Sequence, residues 1–236
     1  MQMIQRGPVS HVEQPRHVIP ETALVSVDDD PSTQVFDDYG LVCAAVLKAS
    51  RTRLKRKFTF GDVFPGDHYR LLAGLVEFIQ PRLVVDIGTA AGYSAQVFID
   101  HGHPDAVTHT FDLTSISEFK ETTLTAEDFD KGRVVQHLKD LKDPIVFNEY
   151  RDLLRDADFI MCDGPKDGEF EYRFIELLSQ LYGPEKPRWL FLDDIRFGNM
   201  LALWRMIKSP KIDLTSFGHF SGSGLVNIRR GLELHS

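Results

Sequence analysis

With 236 residues, 42% of them hydrophobic and 26% charged, the chain has enough apolar material for one globular domain with a substantial core and an appended segment. A net charge of -8 argues against nucleic acid as a principal partner, and two cysteines, Cys43 and Cys162, imply no disulfide framework and a reducing compartment. No apolar run reaches membrane-spanning length and the polar, proline-containing N-terminus is not signal-like, so the expectation is a cytoplasmic chain with no membrane partner.

Residues 1–33 carry Pro8, Pro15, Pro20 and Pro31 with few periodic apolar positions, which reads as an extended arm. Such an arm is either a solvated tail or a segment that closes over a site or wraps a second copy in a homodimer. Residues 35–47 place Phe36, Tyr39, Cys43, Val46 and Leu47 at helical spacing. The basic run at 51–57 reads as a solvated face, or else as a patch that attracts an anion. An aromatic loop follows at 58–69, including Phe64, His68 and Tyr69, then a helix at 69–80 that Pro81 stops. The division expected is an N-terminal arm and helix over 1–60 and a main domain over 61–236.

The stretch from Leu83 to Ser94 organises the rest. An apolar run, Leu83-Val84-Val85, ends in Asp86 and enters a small-residue turn, Gly88-Thr89-Ala90-Ala91-Gly92, before a helical pattern begins at Tyr93 and Ser94. This predicts a buried parallel strand, a tight turn in which glycines let a ligand approach the backbone, and a helix N-terminus facing that ligand. A dinucleotide turn would read G-x-G-x-x-G, but position 90 is Ala. A carboxylate at position 86 would repel a pyrophosphate, whereas it can pair with an ammonium or a sulfonium.

Strands and helices then alternate. Strands are expected at 107–112, 133–138, 158–163 and 188–194, helices at 169–181 and 200–208 with Asn199 as a cap, and closing strands near 212–217 and 224–229 joined by a glycine-rich link. That order predicts an α/β fold: a doubly wound, mostly parallel, seven-stranded Rossmann-like sheet with a C-terminal antiparallel hairpin, preceded by an N-terminal helical or extended segment. Ligands in such folds bind beyond the carboxyl ends of the strands, and acids stand at that edge: Asp86, Asp112, Asp163, Asp193 and Asp194.

Asp112 ends the second strand, where an acid accepts ribose hydroxyls. Asp163, Asp193 and Asp194 would need a cation or raised pKa values if drawn together, and an all-oxygen set suits Mg²⁺. Neighbouring strand residues point to opposite faces, so Asp193 and Asp194 share an ion only if the strand ends between them. Lys166 follows Gly164-Pro165, a short turn that would swing its ammonium over the same edge, where a divalent cation and partial desolvation would lower its pKa and make it a base; the alternative is a surface lysine paired with Asp167 or Glu169.

These residues resemble a known family. The run Asp86-Ile-Gly-Thr-Ala-Ala-Gly-Tyr-Ser94 resembles the first motif of class I methyltransferases that use S-adenosylmethionine (SAM), and is most similar to the divalent-cation-dependent O-methyltransferases of the catechol and caffeoyl-CoA type. Asp163, Lys166 and Asp193 match that family's metal and base pattern, and Asp194 stands where an Asn is usual. The resemblance covers roughly residues 64–229, and the segment from Thr215 to Leu225 looks like bacterial methyltransferases of sugar or natural-product pathways.

The resemblance implies SAM as cofactor, held by Asp86, Gly88, Thr89, Ala90, Gly92, Tyr93 and Ser94, with Asp112 on the ribose, Asp163 beside the donor, and adenine near Lys139-Asp140-Leu141. It implies Mg²⁺ on Asp163, Asp193 and Asp194, Lys166 as the base, and a small-molecule hydroxyl as acceptor; His219, in the glycine-rich link, would face substrate as a second catalytic base or else be structural. Phe64, His68 and Tyr69 would wall the acceptor pocket. The other readings are a metal-independent methyltransferase and, on the same fold, an NAD- or nucleotide-sugar-binding protein.

Overall fold

The computed structural model describes residues 33–49, 51, 54–55 and 67–235, the side chains of 33–38 excepted. The expected arm, most of the basic run and most of the aromatic loop with Phe64 lie outside the described residues.

The helices are α1 (Thr33–Ala49), α2 (His68–Ile79), α3 (Tyr93–His101), α4 (Ala126–Asp130), α5 (Pro144–Glu149), α6 (Arg151–Asp156), α7 (Phe170–Ser179) and α8 (Met200–Met206). The strands are β1 (Leu83–Ile87), β2 (Val107–Asp112), β3 (Val134–Leu138), β4 (Phe159–Cys162), β5 (Trp189–Asp193), β6 (Lys211–Asp213) and β7 (Ser223–Asn227). They form one sheet in the order β3-β2-β1-β4-β5-β7-β6. All pairings from β3 to β5 are parallel, and β7 runs antiparallel to both β5 and β6. The doubly wound sheet with a C-terminal hairpin is therefore present.

β4 is a continuous apolar run, and β1 and β5 are apolar but for Asp86 and Asp193, because helices cover both faces of the sheet. Alternation sorts their side chains into two layers. Val85, Ile87, Ile160, Cys162, Leu190 and Leu192 pack with Phe147, Leu154, Phe174 and Leu203 on the side of α5 to α8. Val84, Phe159, Met161, Trp189 and Phe191 pack with Leu71, Leu72, Leu75, Val97 and Phe98 on the side of α2 and α3. Helix α1 joins that second layer through Val42 and Ala45. It lies so near α2 that a Cβ on Gly74 would come 2.6 Å from the Ala45 carbonyl oxygen. Asp86 falls on the Val84 side of β1, so it points toward α2 and α3.

Helix ends depart from the sequence reading in two places. Asp67 caps α2 by accepting from the Arg70 backbone N–H at 3.0 Å. Asn199 precedes α8, but its side chain makes no cap; its backbone carbonyl accepts from Ala202 instead. The closing strands are shorter than expected at 212–217. The Asp213 carboxylate accepts from the Thr215 N–H and turns the chain, ending β6 after three residues. Among the described residues, no helix is long and apolar enough to cross a membrane.

Candidate active site

The glycine turn is built by strand register. Asp86 lies beside Thr110 across β1 and β2, and the Thr110 hydroxyl donates to Asp86 Oδ2 at 3.1 Å. Thr110 also meets Thr89 Oγ1 at 2.7 Å, which ties the turn to β2. Asp86 is fully buried, and its Oδ1 has no hydrogen-bond partner among the described residues. Burial pushes the Asp86 carboxyl up to about 7, against the pull of the Ser94 and Thr110 hydroxyls.

Gly88, at φ 97°, and Gly92, at φ 87°, take left-handed backbone, and Gly92 opens α3 next to Tyr93. Ala90 shares that conformation at φ 40°, with its N–H donated to Asp112 Oδ2 at 2.9 Å. The other Asp112 oxygen accepts from Thr114. Beside this turn opens a cavity of about 510 Å³, bordered by Gly88, Ala90, Asp112, Lys139, Asp140 and Asp163. Its size suits a small organic ligand.

The acids at 163, 193 and 194 converge for the same reason of register. Cys162 pairs with both Ile87 and Leu192, so the next residue of each strand, Gly88, Asp163 and Asp193, emerges at one rim. One carboxylate oxygen from each of Asp163, Asp193 and Asp194 lies within 4.8 Å of the others. β5 ends at Asp193, and Asp194 adopts φ 58°, which is the break the two acids need to face one centre. Lys166, also left-handed at φ 54°, folds its Nζ back to 2.6 Å from Asp163 Oδ1 and 3.7 Å from Asp194 Oδ2. Four non-glycine residues among those described take positive φ, and Ala90, Lys166 and Asp194 are three of them. Backbone strain of this kind gathers at functional sites.

The lowered pKa expected for Lys166 belongs to a divalent cation beside it; the protein groups alone act the other way. Burial presses its ammonium down, but Asp163 and Asp193 outweigh burial and hold it above the ordinary lysine range. Burial, and then Asp193, push the Asp163 carboxyl up, with Lys166 opposing. Burial also works against charge on Asp193, yet His68, His219 and Lys166 hold that carboxyl below its usual range.

His219 places Nε2 at 2.6 Å from Asp193 Oδ1 and Nδ1 at 2.6 Å from Ser221 Oγ. Burial lowers its pKa, but the bond to Asp193 and the charges of Asp193, Asp194 and Asp163 together raise it by more. His68, at the start of α2, sets Nδ1 at 3.7 Å from Asp193 Oδ1 and 3.3 Å from Ser223 Oγ. It meets the His219 ring edge-on at 4.6 Å, and burial lowers its pKa. His68 therefore lies beneath the rim as a partner of Asp193, a role beyond the pocket wall expected for it. Sequence offers one signal for this: His68 sits one residue past a capping Asp, at the buried start of an amphipathic helix.

Neither a family model nor a curated protein matches the sequence. Solved structures do match. A protein from Staphylococcus aureus assigned as a caffeoyl-CoA O-methyltransferase superposes with a TM-score of 0.50 at 14% identity, over 84% of this chain and 92% of that one. A methyltransferase from Geobacter sulfurreducens gives 0.48 at 16%, over 89% and 100%. A Podospora anserina methyltransferase with S-adenosylhomocysteine bound gives 0.47 at 14%, over 90% and 100%. At 14% identity the first of these likenesses shows the fold alone: this chain shares the Rossmann-like α/β fold of that Staphylococcus aureus protein.

Proposed function

We propose that the chain is a SAM-dependent methyltransferase that moves the donor's methyl group to a hydroxyl oxygen of a small molecule. The observation that carries this reading is the position of Asp163. It borders the cavity beside the glycine turn and is also one of the three clustered carboxylates. A donor in that cavity and an oxygen acceptor at the cluster would meet at this residue.

The residues of the turn fit SAM. The unpartnered Oδ1 of Asp86, one residue behind the cavity-lining Ile87, would take the amino-acid end of the donor, and Asp112 and Asp140 border the cavity. Three acids at the rim favour a cationic donor, and the turn lacks the middle glycine of a dinucleotide fingerprint.

The carboxylates fit a hard cation, because the donor set is all oxygen and Lys166 now supplies the positive charge that neighbouring acids need. Asp163, Asp193 and Asp194 would hold a divalent ion, Mg²⁺ by this chemistry, which would supply a lowered pKa for the acceptor hydroxyl. Burial favours a neutral Lys166 amine, the form in which its Nζ would take the hydroxyl proton. The acceptor oxygen attacks the methyl carbon, the carbon–sulfur bond breaks with its electron pair moving to sulfur, and S-adenosylhomocysteine leaves. Positioning of the two reactants by the turn and rim supplies much of the rate.

Calorimetry with SAM and with NAD tests the reading. Saturable heat with SAM and none with NAD is expected; heat with NAD alone would replace it with the dinucleotide-binding alternative.

A further inference from the structure

The carboxylate of Asp193 faces two ways. Its Oδ1 is the atom that approaches His219 Nε2 at 2.6 Å and His68 Nδ1 at 3.7 Å. One donor atom from each of His68, Asp193 and His219 lies within 4.8 Å of the others, and all three residues are at least nine-tenths buried. We propose that His68, Asp193 and His219 form a second metal site, a two-imidazole, one-carboxylate set that takes a divalent first-row transition ion in preference to Mg²⁺. The site goes beyond methyl transfer and does not depend on it.

Three features support it. First, the donors are of the right kind. Imidazole nitrogen suits Zn²⁺, Fe²⁺, Co²⁺ or Ni²⁺ and does not suit Mg²⁺, which demands oxygen and keeps its water. Two histidines and one carboxylate leave an open position, the arrangement of catalytic zinc sites and of non-haem iron sites.

Second, the spacing is close to what an ion needs. Metal–nitrogen and metal–oxygen bonds of about 2.0–2.2 Å put tetrahedral donors roughly 3.3 Å apart. The contacts at 2.6 and 3.7 Å straddle that separation, so small side-chain shifts in opposite directions would seat an ion.

Third, an outer partner is in place. His219 Nδ1 meets Ser221 Oγ, which fixes the ring with Nε2 toward Asp193, as outer partners of metal-bound histidines do. Ser223 Oγ, 3.3 Å from His68 Nδ1, is a further oxygen beside the set.

Asp193 thus belongs to two donor sets. Its shared carboxylate lets the imidazole set and the all-oxygen set be told apart by ligand type. Asp194 serves only the latter, and His68 only the former.

The test uses the full chain, stripped with chelator and titrated with Co²⁺. Saturable binding is expected, with visible absorption stronger than that of the aquo ion. His68→Gln and His219→Gln should each weaken Co²⁺ binding by at least about tenfold, the scale of losing even an outer partner. Asp194→Asn should leave the Co²⁺ spectrum unchanged. Because either histidine variant could fold poorly, X-ray absorption on the Zn²⁺-loaded native protein gives an independent reading, and outer-shell imidazole scattering is expected. A Co²⁺ spectrum indifferent to both histidine substitutions, the absence of saturable Co²⁺ binding, or a Zn²⁺ spectrum without imidazole scattering would each overturn the proposal. A failure of methyl transfer is read separately, from SAM binding and turnover, and leaves these outcomes untouched.

Discussion

Gly88 stands so close to Asp163 that a Cβ at position 88 would sit 2.0 Å from the Asp163 carbonyl oxygen. The contact joins the donor turn to the acid cluster through bare backbone. It also sets the first prediction. Gly88→Ala has both a clash with backbone and a positive φ to satisfy, so it should cost on the order of 2–5 kcal/mol. Urea unfolding checks the loss of stability. An alanine variant as stable as the native protein would mean that the turn and β4 are not held this closely.

Lys166→Ala separates chemistry from donor binding. Its Nζ contacts Asp163 and the Gly164 carbonyl, and Lys166 does not border the donor cavity. Turnover should fall by about 10²–10⁴, the usual worth of a positioned acid or base. SAM affinity should change by no more than a few-fold. Parallel calorimetry and steady-state rates decide this; an equal loss in both would make Lys166 a binding residue.

Metal removal gives a third outcome. On the proposed function, chelator-treated protein should lose methyl transfer and regain it with added Mg²⁺, since one oxygen from each of three carboxylates lies within 4.8 Å of the others. Full activity after chelation would remove the ion from the reaction and leave a metal-independent methyltransferase.

The fourth concerns pH. Burial raises the Asp86 carboxyl from 3.8 to about 7. Stability linked to this group is therefore full below the unfolded value and lost as pH rises through about 7. Asp86→Asn carries no charge to bury. At about pH 8.5 it should be more stable than the native chain, by an amount on the order of 2–4 kcal/mol at most, and at about pH 4 the gain should vanish. The same variant should bind SAM more weakly. Urea midpoints across the pH range check the first part, and an advantage that grew toward acid would contradict it.

Much of the sheet and its rim is legible in the sequence, because parallel strands buried on both faces leave uninterrupted apolar runs, and each run here stops at an acid. The meeting of Asp193 and Asp194 at one centre depends on a left-handed residue at position 194, which no side-chain pattern announces. The partnership of His68 with Asp193 is hidden for another reason. His68 and Ser223, which flank that acid, are 155 residues apart, and only the placement of β7 beside β5 brings them together. The raised pKa of Lys166 was equally out of reach. Residue types alone do not fix the balance, which Asp163, at 2.6 Å, and Asp193 together tip against burial.

The last strand in the chain is not the last in the sheet. β7 lies between β5 and β6, and β6 pairs with nothing else among the described residues. During synthesis β6 leaves the ribosome before its only neighbour exists, and the side of β5 stays open until residues near Asn227 emerge. An open apolar strand edge invites pairing with another chain. Polypeptides stopped short of residue 223 should therefore collect in the insoluble fraction to a greater extent than those that reach residue 235.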